Sequence, residues 1–199
     1  MIKNIVFDFG KVLVDYDFMF LIDTFFEDED EKRGFCKIFL DQSFIDECDR
    51  ELVPFKQIIE NAKAKHPEYS EALQKFYDRY PDFVTGEVPG MREELTWLKS
   101  QGYKLYGLTN WCSAVYQVMA RFPEIFSLLD GKIISSEEHV IKPEAAIYEV
   151  LSSRFDLIPD ETVFTDDKIV NIEGAIACGL QGIQFHNARQ FHADLLKLL

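Results

Sequence analysis

The chain has 199 residues, 47% of them hydrophobic and 28% charged, and carries a formal net charge of −14. That length fits one domain with a large insertion, or two small domains sharing a hinge, and the apolar content is enough to bury a core. The acidic balance argues against nucleic acid and anionic membrane surfaces as partners, because both need basic patches; for a phosphate substrate it sets a difficulty that a bound cation would ease.

In chain order, the first buried strand is read over residues 5–9, within Ile-Val-Phe-Asp-Phe-Gly-Lys-Val-Leu. Asp8 sits where that strand ends, and ligands in open α/β sheets bind outside such carboxyl ends. Gly10 follows, which permits a close backbone approach by a ligand. Residues 16–84 then show no good strand. They carry helical stripes instead: Phe18, Leu21, Ile22, Phe25 and Phe26; then Phe55, Ile58, Ile59 and Ala62; then Leu73, Phe76, Tyr77 and Tyr80. Spacings of three and four predict four or five helices forming a small bundle. The acidic run 27–31 reads as a solvated turn joining two of them. Pro81, Gly86, Pro89 and Gly90 punctuate the return, with hinges near 14–18 and 84–89.

Beyond the insertion, strands are predicted at 105–108, 133–135, 163–165 and 183–185, short, apolar and bounded by Gly or polar residues. They alternate with helical patterns at Met91, Leu95 and Leu98, at Val115, Val118, Met119 and Phe122, and at Ile147, Val150 and Leu151. The alternation predicts an α/β fold with a parallel sheet and helices on both faces. Thr109 and Asn110 end the second strand before a helix expected from about residue 112, a place where hydroxyl, amide and free N–H groups make an anion site or an ordinary N-cap. Lys142 precedes Pro143 at the start of a helix, where the macrodipole disfavours a cation and a partner anion is expected. Asp166 and Asp167 stand side by side after the fourth strand; two such carboxylates repel unless a cation sits beside them, and hard oxygen donors suit Mg2+. Asn171, one turn into the next helix, is placed to hold that loop.

Together these four strand ends resemble the haloacid dehalogenase (HAD) superfamily, over nearly the whole chain. The resemblance implies a Rossmann-like sheet ordered 5-4-1-2-3, formed by residues 1–15 and 85–199, with residues 16–84 as a helical cap inserted after the first strand. It implies Asp8 as nucleophile, Thr109 as phosphoryl holder, Lys142 as neutralising cation, and a Mg2+ site from Asp8, the Gly10 carbonyl, Asp166 and Asp167, with Asp167 the better-placed ligand. Asn110 joins Thr109 and Lys142 as a candidate substrate-binding residue. The function implied is hydrolysis of a small phosphorylated metabolite through an aspartyl-phosphate on Asp8.

At Gly10 the sequence departs from the pattern, because most HAD phosphatases carry there an aspartate that protonates the leaving oxygen. Asp-Phe-Gly-Lys-Val-Leu-Val-Asp-Tyr-Asp is closest to a subgroup resembling bacterial α-D-glucose-1-phosphate phosphatases, which implies a sugar phosphate. Asp15 or Asp17 is a candidate replacement acid, and Trp111 and Tyr16 are candidate pocket residues. A phosphate-binding module without catalysis is the alternative from another class, with a dehalogenase and a phosphomutase further behind. Cys36, Cys48, Cys112 and Cys178 show no paired spacing, so reduced thiols are expected, with Cys112 a small wall residue. No apolar run approaches the ~18 residues of a membrane span, and Lys3 interrupts any signal-like start, so the expected location is the cytoplasm. The sequence leaves the oligomeric state open.

Overall fold

A computed structural model describes all 199 residues. In chain order the elements are β1 (Asn4–Phe7), β2 (Val14–Tyr16), α1 (Phe18–Ile22), α2 (Glu29–Phe39), α3 (Gln42–Arg50), α4 (Phe55–Lys65), α5 (Ser70–Asp78) and β3 (Val84–Glu87). There follow α6 (Met91–Ser100), β4 (Lys104–Thr109), α7 (Val115–Arg121), α8 (Pro123–Phe126), β5 (Gly131–Ile134) and α9 (Ser135–Glu138). The chain closes with α10 (Ala145–Phe155), β6 (Thr162–Asp166), α11 (Ile169–Ala177), β7 (Gln181–Gln184) and α12 (Ala188–Leu195).

Five strands form one parallel sheet in the order β5-β4-β1-β6-β7, with β1 central. Its numbering differs from the expected one because β2 and β3 pair separately as an antiparallel ribbon. With that ribbon left out, the order is the expected one, read from the other edge. Neighbouring strand residues point to opposite faces, as the pleat requires. Ile5, Phe7, Leu105, Val163 and Ile183 join a large apolar cluster beneath α6, α7 and α12, while Val6, Leu108, Ile133 and Phe164 pack under α10 and α11 on the other side.

The predicted strand bounds shift by one or two residues. The largest change is at Ser135, expected in a strand and found at the start of α9. The helix expected from about residue 112 begins at Val115. The stripe from Phe18 to Phe26 does not form one helix: α1 stops at Ile22, where the Thr24 hydroxyl takes the Leu21 carbonyl at 2.7 Å and turns the chain. The acidic run is not a turn either. Asp28 caps α2 by accepting from the N–H groups of Asp30 and Glu31, and Glu29, Asp30 and Glu31 form its first turn, where the helix dipole favours anions.

Segments 14–18 and 84–89, read as hinges, contain the two strands of the ribbon. The large apolar cluster runs without a break from the sheet through Leu21, Phe35, Phe39, Leu73 and Phe76 of the inserted helices. Rings bridge the two parts. Phe83 stacks on Trp111 at 6.0 Å between centroids, and the Trp111 indole N–H donates to the Tyr80 hydroxyl at 2.7 Å. No helix is long and apolar enough to cross a membrane.

Candidate active site

Every strand-end residue singled out in the sequence lies at the carboxyl edge of the sheet, and there the inserted helices close over a cavity of about 170 Å³. Asp8, Gly10, Thr109, Asn110, Lys142 and Asp167 all line it. The parallel register explains the convergence, because β1, β4 and β6 run side by side and end at the same level.

Asp8 is 8% exposed. Its Oδ1 accepts from the Phe9 N–H at 2.7 Å and lies 2.8 Å from the Lys142 ammonium, which leaves Oδ2 without a hydrogen-bond partner. Burial raises its pKa to about 6; Lys142 works against this, and Asp166 and Asp167 add to it. Asp166 is fully buried and fully engaged. Its Oδ1 accepts from the Lys168 N–H at 2.8 Å, and its Oδ2 accepts from Lys142 at 2.7 Å and from the Asn171 amide at 2.9 Å. Those donors and Lys142's charge hold its carboxyl below the ordinary range in spite of burial. Asp167, partly exposed, has its carboxyl raised by burial and by Asp166. Asn171 thus takes the holding position read from its place one turn into α11.

Lys142 is 3% exposed and donates to the Leu108 carbonyl at 3.0 Å as well as to both aspartates. Burial alone would lower its pKa, but the two carboxylates outweigh it and keep the ammonium charged. The partner anions expected from its sequence position are therefore Asp166 and Asp8. Asn110 does something the sequence did not show. Its amide donates to the Lys142 carbonyl at 3.0 Å and accepts from the Lys142 N–H at 2.8 Å, so its side chain fixes the lysine's backbone. Thr109 is 1% exposed at the end of β4.

Carboxylate oxygens of Asp8, Asp166 and Asp167 all lie within 4.8 Å of one another. Opposite ligands of an octahedral Mg2+ stand roughly 4 Å apart, given bonds of about 2.0–2.1 Å. An all-oxygen donor set at that spacing, with two of its three carboxyls raised by burial and further by their acidic neighbours, fits a hard divalent ion after a small contraction.

The two aspartates considered as replacement acids do not reach the cavity. Asp15 pairs with Lys11 at 2.5 Å and accepts from the Tyr16 N–H, and Asp17 caps α1 through the N–H groups of Met19 and Phe20. Trp111 and Tyr16 do line the cavity, as expected. Cys112, expected as a wall residue, does not line the cavity; it is buried, and burial pushes its thiol far up, the state of an unreactive thiol. Sequence reasoning missed Asp49, which enters the cavity from α3. Its only signal was an acidic residue among Phe44, Ile45 and Cys48 on one helix face.

This arrangement, a parallel sheet with an acidic cluster and a lysine at one edge, is that of a HAD-like hydrolase. Residues 2–179 match the haloacid dehalogenase-like hydrolase family, and the chain belongs to it. A curated relative, the sesquiterpene phosphatase astK of Aspergillus oryzae, is 29% identical over 102 residues, 51% of this chain and 52% of that protein. The chain thus matches about half the length of its curated relatives. Among solved structures, a predicted HAD-like family hydrolase from Porphyromonas gingivalis superposes with a TM-score of 0.80 at 22% identity, covering 100% of this chain and 98% of that one. A HAD family enzyme of Bacteroides thetaiotaomicron, solved with magnesium and inorganic phosphate, gives 0.74 at 21% identity, covering 94% and 96%. At those identities the likeness establishes the shared fold.

Proposed function

We propose that the chain is a Mg2+-dependent phosphatase that hydrolyses a small phosphate monoester through an aspartyl-phosphate on Asp8. The observation that carries the reading is the Asp8 carboxylate, its Oδ1 on a charged Lys142 and its Oδ2 unbonded, with carboxylate oxygens of Asp8, Asp166 and Asp167 within 4.8 Å of one another. Asp8, the Gly10 carbonyl and Asp167 would hold the metal; Asp166, with both oxygens already bonded, orients Lys142 and completes the negative field. When bound, the cation supplies charge neutralisation for the phosphoryl oxygens.

The chain's own groups do the rest. Asp8 attacks phosphorus, and water later hydrolyses the acyl phosphate, which splits one displacement into two. Lys142 and Thr109 stabilise charge on the transferring group, with Asn110 fixing the lysine's place. Residues 16–84 act as the cap that shelters the leaving group from water.

The sequence motif implied a sugar ester. The cavity favours a leaving group with substantial apolar surface, since 12 of its 21 lining residues are hydrophobic, Phe18, Phe39, Phe44, Phe55 and Phe76 among them. The Aspergillus relative is named a sesquiterpene phosphatase, and an apolar terpene-like leaving group is in keeping with such a lining. Phosphate release from p-nitrophenyl phosphate, with and without Mg2+, tests the reaction: we expect turnover by the wild type with metal and none by Asp8→Asn. Equal rates for the two proteins would end the proposal. A prenyl monophosphate should exceed glucose 1-phosphate in kcat/KM, and the reverse order would restore the sugar.

A further inference from the structure

We infer that Asp49, carried on the cap helix α3, is the catalytic acid that protonates the leaving oxygen. The inference rests on the phosphatase reading above. It begins with the vacant role at position 10. A Cβ built on Gly10 would stand 2.8 Å from Cε1 of Tyr16 and 3.8 Å from Cζ3 of Trp111, so the Tyr16 ring fills the space an acidic side chain there would need. No acid can occupy position 10 unless that ring moves. Asp15 and Asp17 are bound elsewhere.

Asp49 is the one carboxyl that the inserted helices present to the cavity. It shares a helix face with Phe44, Ile45 and Cys48, which line the same cavity, and its side chain has no hydrogen-bond or ion-pair partner. A carboxyl in such surroundings is held neutral by the cost of desolvating its charge. Burial lifts Asp49 to about 7; Lys168 opposes the shift, Asp46 adds to it, Lys142 opposes it and Asp8 adds to it. It is therefore available as a proton donor near neutral pH, which is what leaving-group protonation requires.

The residue is also held in place. The Ser135 hydroxyl donates to the Asp49 carbonyl at 2.6 Å, and the Arg50 carbonyl meets His139 Nδ1 at 2.8 Å. Arg50 pairs with Glu144, while the Glu51 carboxylate accepts from the N–H and hydroxyl of Ser113 at 2.6 and 2.8 Å. These contacts pin the C-terminal end of α3 to the loops after β4 and β5 and to the start of α10, so Asp49 is in position when the cap is closed.

The balance is simple. A bond forms from Asp8 to phosphorus as the bond to the leaving oxygen breaks. The Asp49 proton passes to that oxygen as it gains the electron pair, giving a neutral alcohol and the Asp49 carboxylate. In the second step the carboxylate takes a proton from the attacking water, Asp8 is released and the acid is restored.

The test is the leaving-group dependence of kcat/KM, which reports the steps up to cleavage of the ester, for wild type and Asp49→Asn with p-nitrophenyl phosphate and with an alkyl phosphate. Loss of a general acid should harm the poor leaving group most. The ratio of the two kcat/KM values should widen by on the order of 10²-fold in Asp49→Asn, and Asp49→Glu should restore part of it. Asp49→Ser gives the same comparison if the Asn variant does not fold. An unchanged ratio in an active variant overturns the inference alone, whereas a wild type inactive on both esters overturns the phosphatase reading and this inference together.

Discussion

Lys142 gives all its ammonium protons to Leu108, Asp166 and Asp8, so the buried charge has no other partner to find. Removing it would leave two buried carboxylates uncompensated. Lys142→Met should therefore lower metal-free stability by about 3–5 kcal/mol, read from urea unfolding, as well as abolish turnover. Loss of activity with unchanged stability would show that the aspartates do not depend on it. Asp49 gives a pH signature of its own. Its carboxyl ordinarily titrates near 3.8 and is raised to about 7 in the folded chain, so the folded state holds the extra proton in between. The stability this contributes is complete below the unfolded pKa and lost as pH rises through about 7. Asp49→Asn should thus be more stable than wild type at pH 8, by about 2 kcal/mol after solvent screening, with the difference shrinking as pH falls toward 4. A pH-independent difference would contradict the placement. At this scale the sequence was informative wherever a polar residue ended an apolar strand, as at Asp8, Thr109 and Asp166, and where Lys142 stood before a helix-starting proline. It was silent on Asp49, which nothing local marks, and on the bonding of the Asn110 amide to Lys142, a partner 32 residues away.

Among elements, α3 carries the closest coupling between cap and sheet. Glu51 joins two jobs there, since it accepts from Ser113 and also takes the Phe55 N–H at 2.9 Å, capping the start of α4. Glu51→Ala should speed amide exchange at the end of α3 and cost about 1–2 kcal/mol. Exchange as slow as in the wild type would mean that other contacts hold the cap. The ribbon of β2 and β3 was not visible in the sequence for a plain reason. Val14–Tyr16 is three residues long, and β3 contains Gly86, so neither offers an alternating pattern. The five sheet strands were legible because burial on both faces leaves near-continuous apolar runs. Helix stripes gave the existence of helices but not their ends, which capping residues such as Asp17, Asp28 and Asp41 decide.

Taken whole, the molecule concentrates acidic groups at one edge of the sheet in a chain whose net charge is already −14. A divalent ion at that edge should stabilise the entire fold by linkage. Mg2+ at ~100 times its Kd should raise the thermal midpoint by about 5–10 °C, reversibly on chelation, and Asp167→Asn should lose most of that shift. An equal shift in the variant would place the ion elsewhere. The central claim is that Asp8 becomes covalently phosphorylated. Rapid acid quench of the Mg2+-loaded wild type mixed with an aryl ester radiolabelled in its phosphoryl group, followed by peptide mapping, tests it most directly. The account predicts transient label on the peptide that contains Asp8 and none in Asp8→Asn. Phosphate release without any such label, or label that persists in Asp8→Asn, would contradict it.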